Sequence, residues 1–380
     1  MGVAPATLRR WVDAGVIPQY SGEWTPAAVA HARIVHRLRE RGHKLPEIRE
    51  ATDAGRLAFG YIEELIPPPE SAYTIEEAAE HAGLEPELVR RIHATMGFTN
   101  ETLQRITEDD LQLLRYVAAV LAAGLPLVAF LQLMRVYGQA VSQIADAEVR
   151  LFHLYIHEPL MRDGVPGLEM AEEMEGLTRE LLPLASPIMD HMHQRFLQHF
   201  VEQDVIGHME TDLGESELDL GRLRVAIAFV DLAGYTQLTE EIGEEEAVSA
   251  VERFVDNVTN TLPDDARIVK TIGDEVMVVA SDAASLTDWA VGFQRLTQTR
   301  PLPRIGIHYG ATLYRDGDYF GREVNIAARV VARAAGGEVM VTRPVVEHAG
   351  GHLEFELIGE VRLKGFSEPT ELFLARVAED

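Results

Sequence analysis

The chain has 380 residues, of which 47% are apolar and none is cysteine, and a formal charge of −27 at pH 7. That length predicts two or three domains with ample core, and the missing cysteines exclude a disulfide framework, a thiolate metal site and a cysteine nucleophile. So acidic a chain repels nucleic acid unless a local basic face exists, and its start lacks the basic and apolar regions of a secretion signal, so a cytoplasmic protein is expected.

Residues 1 to about 66 read as helices. Pro5-Ala6-Thr7-Leu8-Arg9-Arg10-Trp11 opens the first, a longer one runs from Thr25 through Arg41-Gly42, and Leu45-Pro46-Glu47 starts a third. The pattern recurs about 82 residues on, an internal repeat. Leu8-Arg9-Arg10 answers to Val89-Arg90-Arg91, Trp24-Thr25-Pro26 to Ile106-Thr107-Glu108, and Arg41-Gly42 with Leu45 to Ala123-Gly124 with Leu127. The second copy has an extra leading helix, from Thr74 to Gly83, which the first copy lacks. Pro67-Pro68-Pro69 is a linker between them. These repeats resemble helix-turn-helix regulators of the MerR type. The first copy has roughly balanced charge, where phosphate contact requires a basic face, so helical scaffolding is expected and no nucleic-acid partner.

Tyr116 to Leu131 is uncharged and apolar, but Gly124 and Pro126 interrupt it. Each half is too short to span a bilayer, so a buried helix pair is expected and no integral membrane segment. Helices continue over 141–185, with a Gly/Pro break at 163–167. After Pro187, Met189, Met192, Phe196 and Phe200 form an apolar stripe at helical spacing, and His191, Arg195 and His199 lie four apart on the adjoining face. This is a connector helix at a dimer interface, or else a core helix. Residues 210–221 are acidic and contain glycine, a boundary loop. The expected division is a helical domain 1–186 with repeats about 1–66 and 71–140, a linker helix 187–212, and a third segment 213–380.

The third segment turns on Arg224-Val225-Ala226-Ile227-Ala228-Phe229-Val230-Asp231, a short apolar run that reads as a strand buried on both faces and ends on a carboxylate. Leu232-Ala233-Gly234-Tyr235-Thr236 follows, a small-residue turn whose backbone N–H groups open a helix. A strand-end carboxylate beside a helix N-terminus suits a metal-bound phosphate, although a capping aspartate is the commoner use of a lone Asp. Residues 266–280 read as a hairpin with a Gly273-Asp274 turn, which puts a second carboxylate at a strand end, as a two-metal site requires. Glu275 follows Asp274, and strand alternation points it the other way. Asp318-Tyr319-Phe320-Gly321 leads into a helix on which Asn325 and Arg329, four apart, share a face. The chain has only three lysines, Lys44, Lys270 and Lys364, against 31 arginines, so either Lys270 and Lys364 stand where a compact ammonium is needed or their survival is chance. Strands at 222–230, 266–280 and 304–313 alternate with helices near 243–259, 284–297 and after Arg322, and strands near 338–341, 353–363 and 370–377 close the sheet. The fold class is α+β: an all-helical N-terminal part, then a ferredoxin-like β-α-β-β-α-β core with additions.

Phe229-Val230-Asp231-Leu232-Ala233-Gly234-Tyr235-Thr236, Lys270-Thr271-Ile272-Gly273-Asp274-Glu275-Val276-Met277 and Gly321-Arg322-Glu323-Val324-Asn325-Ile326-Ala327-Ala328-Arg329-Val330 together resemble the catalytic domain of class III nucleotidyl cyclases. The whole chain resembles soluble mycobacterial-type adenylyl cyclases with an autoinhibitory, pH-responsive helical N-terminal domain. The resemblance implies two divalent ions, Mg²⁺ or Mn²⁺, bridged by Asp231 and Asp274 with the Leu232 carbonyl as an extra ligand. It implies Arg329 on the α-phosphate, Asn325 on the ribose, and Lys364 and Arg304 on the phosphate chain, with the turn Gly234, Tyr235 and Thr236 beside it. Lys270 and Asp318 would read adenine, a donor to N1 and an acceptor from N6, so ATP is the expected substrate. Metal carboxylates from one chain and the Asn/Arg pair from its partner imply a homodimer. His191, Arg195 and His199 are candidates for pH control, or else solvated residues on a rigid connector, and a fatty acid or other apolar effector is a further candidate. A catalytically dead cyclase fold and a DNA-binding regulator are the rival functions.

Overall fold

The computed structural model describes every residue except 1–2, 18–23, 25, 55, 58–72, 100–105, 163–166, 214–221, 298 and 379–380. The triproline linker, most of the Gly/Pro break and residues 214–221 of the boundary loop lie outside the described residues. The chain divides into two compact units, Met1–Gln198 and His199–Asp380.

In the first unit, helices α1 (Pro5–Asp13), α2 (Pro26–Glu40) and α3 (Leu45–Asp53) bury Trp11, Val16, Ile17, Ala32, Val35 and Ile48 among themselves. Helices α4 (Ile75–Ala82), α5 (Pro86–Met96) and α6 (Glu108–Ala122) enclose Ala78, Val89, Ile106, Leu111 and Leu114, and α7 (Leu127–Phe152) adds Phe130, Leu131 and Met134 against Ile92 and Val117. Local chemistry starts these helices. Thr74 and Thr107 each cap the backbone N–H three residues on, and Glu77 and Asp110 return the bond to the cap's own N–H, so orphan donors at both helix starts are met. The repeat is visible as geometry: α2 and α6 begin at Pro26 and Glu108, α3 and α7 at Leu45 and Leu127, each pair 82 apart. The turn glycines match too, Gly15 with Gly97 and Gly42 with Gly124, all at positive φ where a side chain is strained. Among the described residues of the first copy, α4 has no counterpart.

The expectation of a buried pair over 116–131 is met on one stripe only. Val117, Phe130 and Leu131 are buried, while Tyr116, Val120, Leu125 and Val128 face outward. Beyond α7 come a π-helical turn, His153–His157, and α8 (Glu158–Arg162). Helix α9 then runs unbroken from Gly167 to Leu213, with Pro183 and Pro187 inside it, so the helix predicted to start after Pro187 begins twenty residues earlier. The division between the two units falls within it.

The second unit is a mixed sheet with helices on both faces. Its elements are β1 (Arg222–Leu232), α10 (Tyr235–Ile242), α11 (Glu244–Thr261), β2 (Ala266–Ile272), β3 (Glu275–Ala280), α12 (Ala283–Leu296), β4 (Pro303–Arg315), β5 (Asp318–Phe320), α13 (Arg322–Val331), β6 (Val339–Thr342), α14 (Arg343–His348), β7 (Leu353–Val361) and β8 (Thr370–Val377). The strand order is β2-β3-β1-β4-β6-β8-β7, with β5 on β4. Its first four strands, antiparallel throughout, have the ferredoxin-like arrangement, and β6 joins β4 in parallel. On one face Ala226, Ala228 and Val230 of β1 pack with Val276, Val278, Ile305 and Ile307 under α11 and α12. On the other, Val225, Ile227 and Phe229 pack with Met277 and Val279 under Ala327 and Val331 of α13. Residues 225–232 are therefore buried throughout, as a central strand covered on both faces demands.

Candidate active site

Asp231 is the penultimate residue of β1 and is 7% exposed. The register sets it opposite Glu275 on β3 and Arg304 on β4. Arg304 donates two hydrogen bonds to Asp231 Oδ2, the one from Nε at 2.7 Å. Asp274 sits in the turn between β2 and β3, where Gly273 takes φ 64 and lets the chain reverse in two residues. Its carboxyl is pushed up to about 6, first by burial, then by the hydrogen bond and negative charge of Asp231. Glu275 is raised too, by burial and then by Asp231 and Asp274.

Residues directly opposite in an antiparallel pair share a face, so Glu275 lies on the Asp231 side of the sheet. The sequence expectation, that alternation turns Glu275 away, is overturned by this register. Asp274 belongs to the turn, so counting from it gives the wrong face. The donor set suits a hard divalent cation, since two acidic oxygen donors converge there at the mouth of the sheet. Among the described residues no group of three or more His, Asp or Glu side chains is arranged to hold a metal.

Lys270 and Asp318, 48 residues apart in sequence, are brought into a direct ion pair, Lys270 Nζ donating to Asp318 Oδ2. The other oxygen, Asp318 Oδ1, accepts the Tyr319 backbone N–H at 2.8 Å. A β-bulge makes this possible. Ile268 pairs with Val278 but Lys270 pairs with Met277, so Val269 is the extra residue and Lys270 comes to the face that carries Asp231. Arg267 donates to the Tyr319 hydroxyl at 2.8 Å and lies over the ring of Phe200, in the part of α9 that belongs to this unit, 5.2 Å from its centroid. Arg267 and Tyr319 carried no signal in the sequence beyond their nearness to Lys270 and Asp318.

Asn325 and Arg329 project from the outer face of α13 and are exposed, while Ile326, Ala327, Val330 and Val331 bury the inner face. Lys364 is exposed on a turn whose Leu363 packs with Ile326 and Val330 beneath α13. Gly234, at φ 80, caps α10; Tyr235 is half-buried and Thr236 exposed. His191, Arg195 and His199 are all exposed on α9. The sheet thus gathers Asp231, Asp274 and Arg304 in one group and Lys270 with Asp318 in a second, and carries Asn325 and Arg329 on the helix over it.

These features define a nucleotidyl cyclase catalytic unit behind a helical regulatory one. The adenylate and guanylate cyclase catalytic domain family matches residues 222–376, and the adenylate cyclase regulatory domain family matches residues 22–201. An adenylate cyclase of Streptomyces coelicolor is 32% identical over 292 residues, covering 75% of this chain and 74% of that one. One of Streptomyces griseus is 31% identical over 288 residues, covering 74% and 69%. The pH-sensitive adenylate cyclase MT1302 of Mycobacterium tuberculosis is 29% identical over 366 residues, covering 92% and 89%. The chain belongs to the class III adenylate cyclases, with the family's regulatory domain ahead of its catalytic domain. Among the described residues no helix is long and apolar enough to cross a membrane.

Proposed function

We propose that this adenylate cyclase converts ATP to 3′,5′-cyclic AMP and pyrophosphate with two divalent cations, Mg²⁺ or Mn²⁺, at sites shared between the chains of a cytoplasmic homodimer. The observation that carries the proposal is the Asp231–Asp274 pair. Burial first, and then the hydrogen bond and charge of Asp231, let Asp274 keep its proton to about 6, so the two carboxylates are poorly matched to each other and well matched to a cation between them. Asp231, Asp274 and the Leu232 carbonyl would hold the ions, which when bound polarise phosphate oxygens and acidify the attacking hydroxyl.

The chain's own residues supply the rest. Arg329 meets charge that grows on the α-phosphate, Asn325 orients the ribose, and Arg304 and Lys364 take charge on the pyrophosphate. Gly234, Tyr235 and Thr236 offer backbone N–H groups at the start of α10. Lys270 donates to adenine N1 and Asp318 accepts from N6; guanine presents the reverse at both positions, leaving buried groups opposed. Their mutual ion pair holds both side chains in one place before the base arrives. Support for the dimer comes from α9, which exposes Ile188, Met192, Phe196 and Leu197, an apolar stripe that a second copy would cover.

The helical unit is read as the regulator, MerR-like in plan but used as scaffold. It responds to protons through His191, Arg195 and His199, or to an apolar molecule such as a fatty acid. The name of the mycobacterial relative supports the proton. The decisive experiment is incubation of the purified chain with equal ATP and GTP plus Mn²⁺, reading cyclic products by mass. Cyclic AMP in large excess is expected. A folded dimer that forms no cyclic product would leave the rival function, a catalytically dead nucleotide-binding module.

A further inference from the structure

Alternate residues of β4 face α13: Arg304, Gly306, His308, Gly310 and Thr312. Two of the five are glycines, and α13 closes on both. A Cβ on Gly306 would lie 2.1 Å from the backbone nitrogen of Val331, so the end of α13 rests on bare strand. A Cβ on Gly310 would meet Glu323 Cγ at 3.0 Å, so the first turn of the helix fills that space with a carboxylate side chain. Between the two glycines stands His308, 5% exposed. Its Nε2 bonds to Glu323 Oε2, and its Nδ1 lies 2.7 Å from Oγ1 of Thr342 on β6, a fully buried residue.

These three side chains link β6, β4 and α13 in one line. Proton accounting fixes its sense. The bond from His308 holds the Glu323 carboxyl below its ordinary range, with smaller help from Arg322, so Glu323 is an acceptor and Nε2 must donate. In the neutral ring Nδ1 then accepts the Thr342 hydroxyl. The groups facing Glu323 are His308 from the sheet and, on its own helix, Arg322 at 3.6 Å, itself well exposed. Apolar contacts of Ile326, Ala327, Val330 and Val331 already bind the helix to the sheet, but such contacts tolerate sliding and rotation. A satisfied polar line accepts one position only. Glu323 lies on the sheet side of α13, while Asn325 and Arg329 lie on the opposite side, so fixing the first fixes where the others point.

We propose that Thr342, His308 and Glu323 are positioning residues that set the rotation and height of α13 and so hold Asn325 at the ribose and Arg329 at the reacting phosphate. This rests on the roles proposed for those two residues above. It predicts a loss seen in kcat and not in KM, because the positioned groups act on the transition state.

The test measures Mn²⁺-ATP turnover in the full chain. Glu323→Ala should lower kcat by about tenfold or more while KM changes less than about threefold, and Glu323→Gln, which keeps an acceptor for Nε2, should recover most of it. Thr342→Val, which keeps the shape and loses the hydroxyl, should lower kcat, and Thr342→Ser should restore it. If Glu323→Ala does not fold, the Thr342 pair carries the same decision. In an Asn325→Ala background, Glu323→Ala should cost less than it does alone, because one of the two groups it positions is gone. Equal losses in both backgrounds, or a fall in melting temperature with kcat unchanged in Thr342→Val, overturn the proposal. Asn325→Ala with unaltered kcat instead overturns the role of Asn325, and the proposal falls with it.

Discussion

Asp231 lies at the end of β1 and Asp274 in the turn that enters the neighbouring β3, yet their surroundings are opposite in sign. Asp231 has a guanidinium bound to it, whereas Asp274 has mainly burial and a second carboxylate. Replacing either by Asn should abolish turnover, because each removes an anionic donor from the proposed ion site. Their effects on folding should diverge. Asp231→Asn leaves Arg304 an acceptor but removes its counter-charge, and should lower stability by roughly 1–3 kcal/mol. Asp274 has a folded pKa of about 6, above its ordinary 3.8, so its ionised form is disfavoured by the fold. That penalty grows as pH rises through this interval, and Asp274→Asn should raise the melting temperature of the metal-free chain near neutral pH. Differential scanning calorimetry of the two variants checks both signs. His31 gives the complementary case. Burial between α1, α2 and α3 pushes it down to about 4 from 6.5. A depressed histidine is neutral in the fold while the unfolded chain binds the proton. The stability of this helical group is therefore complete above about 6.5 and falls towards pH 4, by about 3 kcal/mol over the window. Hydrogen exchange of α2 should lose protection over that interval, and His31→Gln should flatten the loss.

Elements of the catalytic unit were legible in the sequence where one residue's chemistry and one period agree. Residues 225–230 are apolar without alternation, so a central strand was readable, and the Gly273-Asp274 pair announced its turn. Pairing across the sheet was not readable. Which face Glu275 takes depends on its partner, Asp231, and sequence distance from Asp274 says nothing about that. The bulge at Val269 was equally invisible: no residue type marks it, and strict alternation from Ile268 would have turned Lys270 under α11 and α12, away from Asp318. Helix α9 misled in the other direction, since a proline inside a helix removes a hydrogen bond and reads as a boundary, but Pro183 and Pro187 are both carried within it. The bulge makes a testable claim. Deleting Val269 restores regular pairing on β2, an edge strand that has room to adjust. Lys270 then stays opposite Met277 on the Asp318 side, so the expected result is ATP turnover within about threefold of the parent with far-ultraviolet circular dichroism preserved, and a loss of about tenfold or more would show that the bulge sets more than the face of Lys270.

At the scale of the whole molecule, the exposed outward face of α13 is the feature that asks for a partner. If the sites are shared, Asp231→Ala chains mixed with Asn325→Ala chains rebuild one intact site in each heterodimer. Activity should therefore return in a mixture of two inactive proteins. Heterodimers recovered through two affinity tags and still inactive would put each site within one chain. The helical unit holds a different kind of duplication, within one chain. Its turns recur at Gly15 and Gly97 and at Gly42 and Gly124, while what fills the interior has been rewritten. Trp11 occupies the place that His93 takes in the second copy, and both are buried, at 4% and 2%. Neither ring nitrogen of His93 has a hydrogen-bond partner among the described residues. A gene segment copied and then diverged leaves its older or younger sibling standing beside it as a control. In this case the sibling has already tried a large aromatic ring at the same address and kept its helices. His93→Phe is thus a substitution with a precedent inside the molecule, and it should stabilise the second copy by roughly 1–3 kcal/mol, the cost of a buried polar group left unpaired.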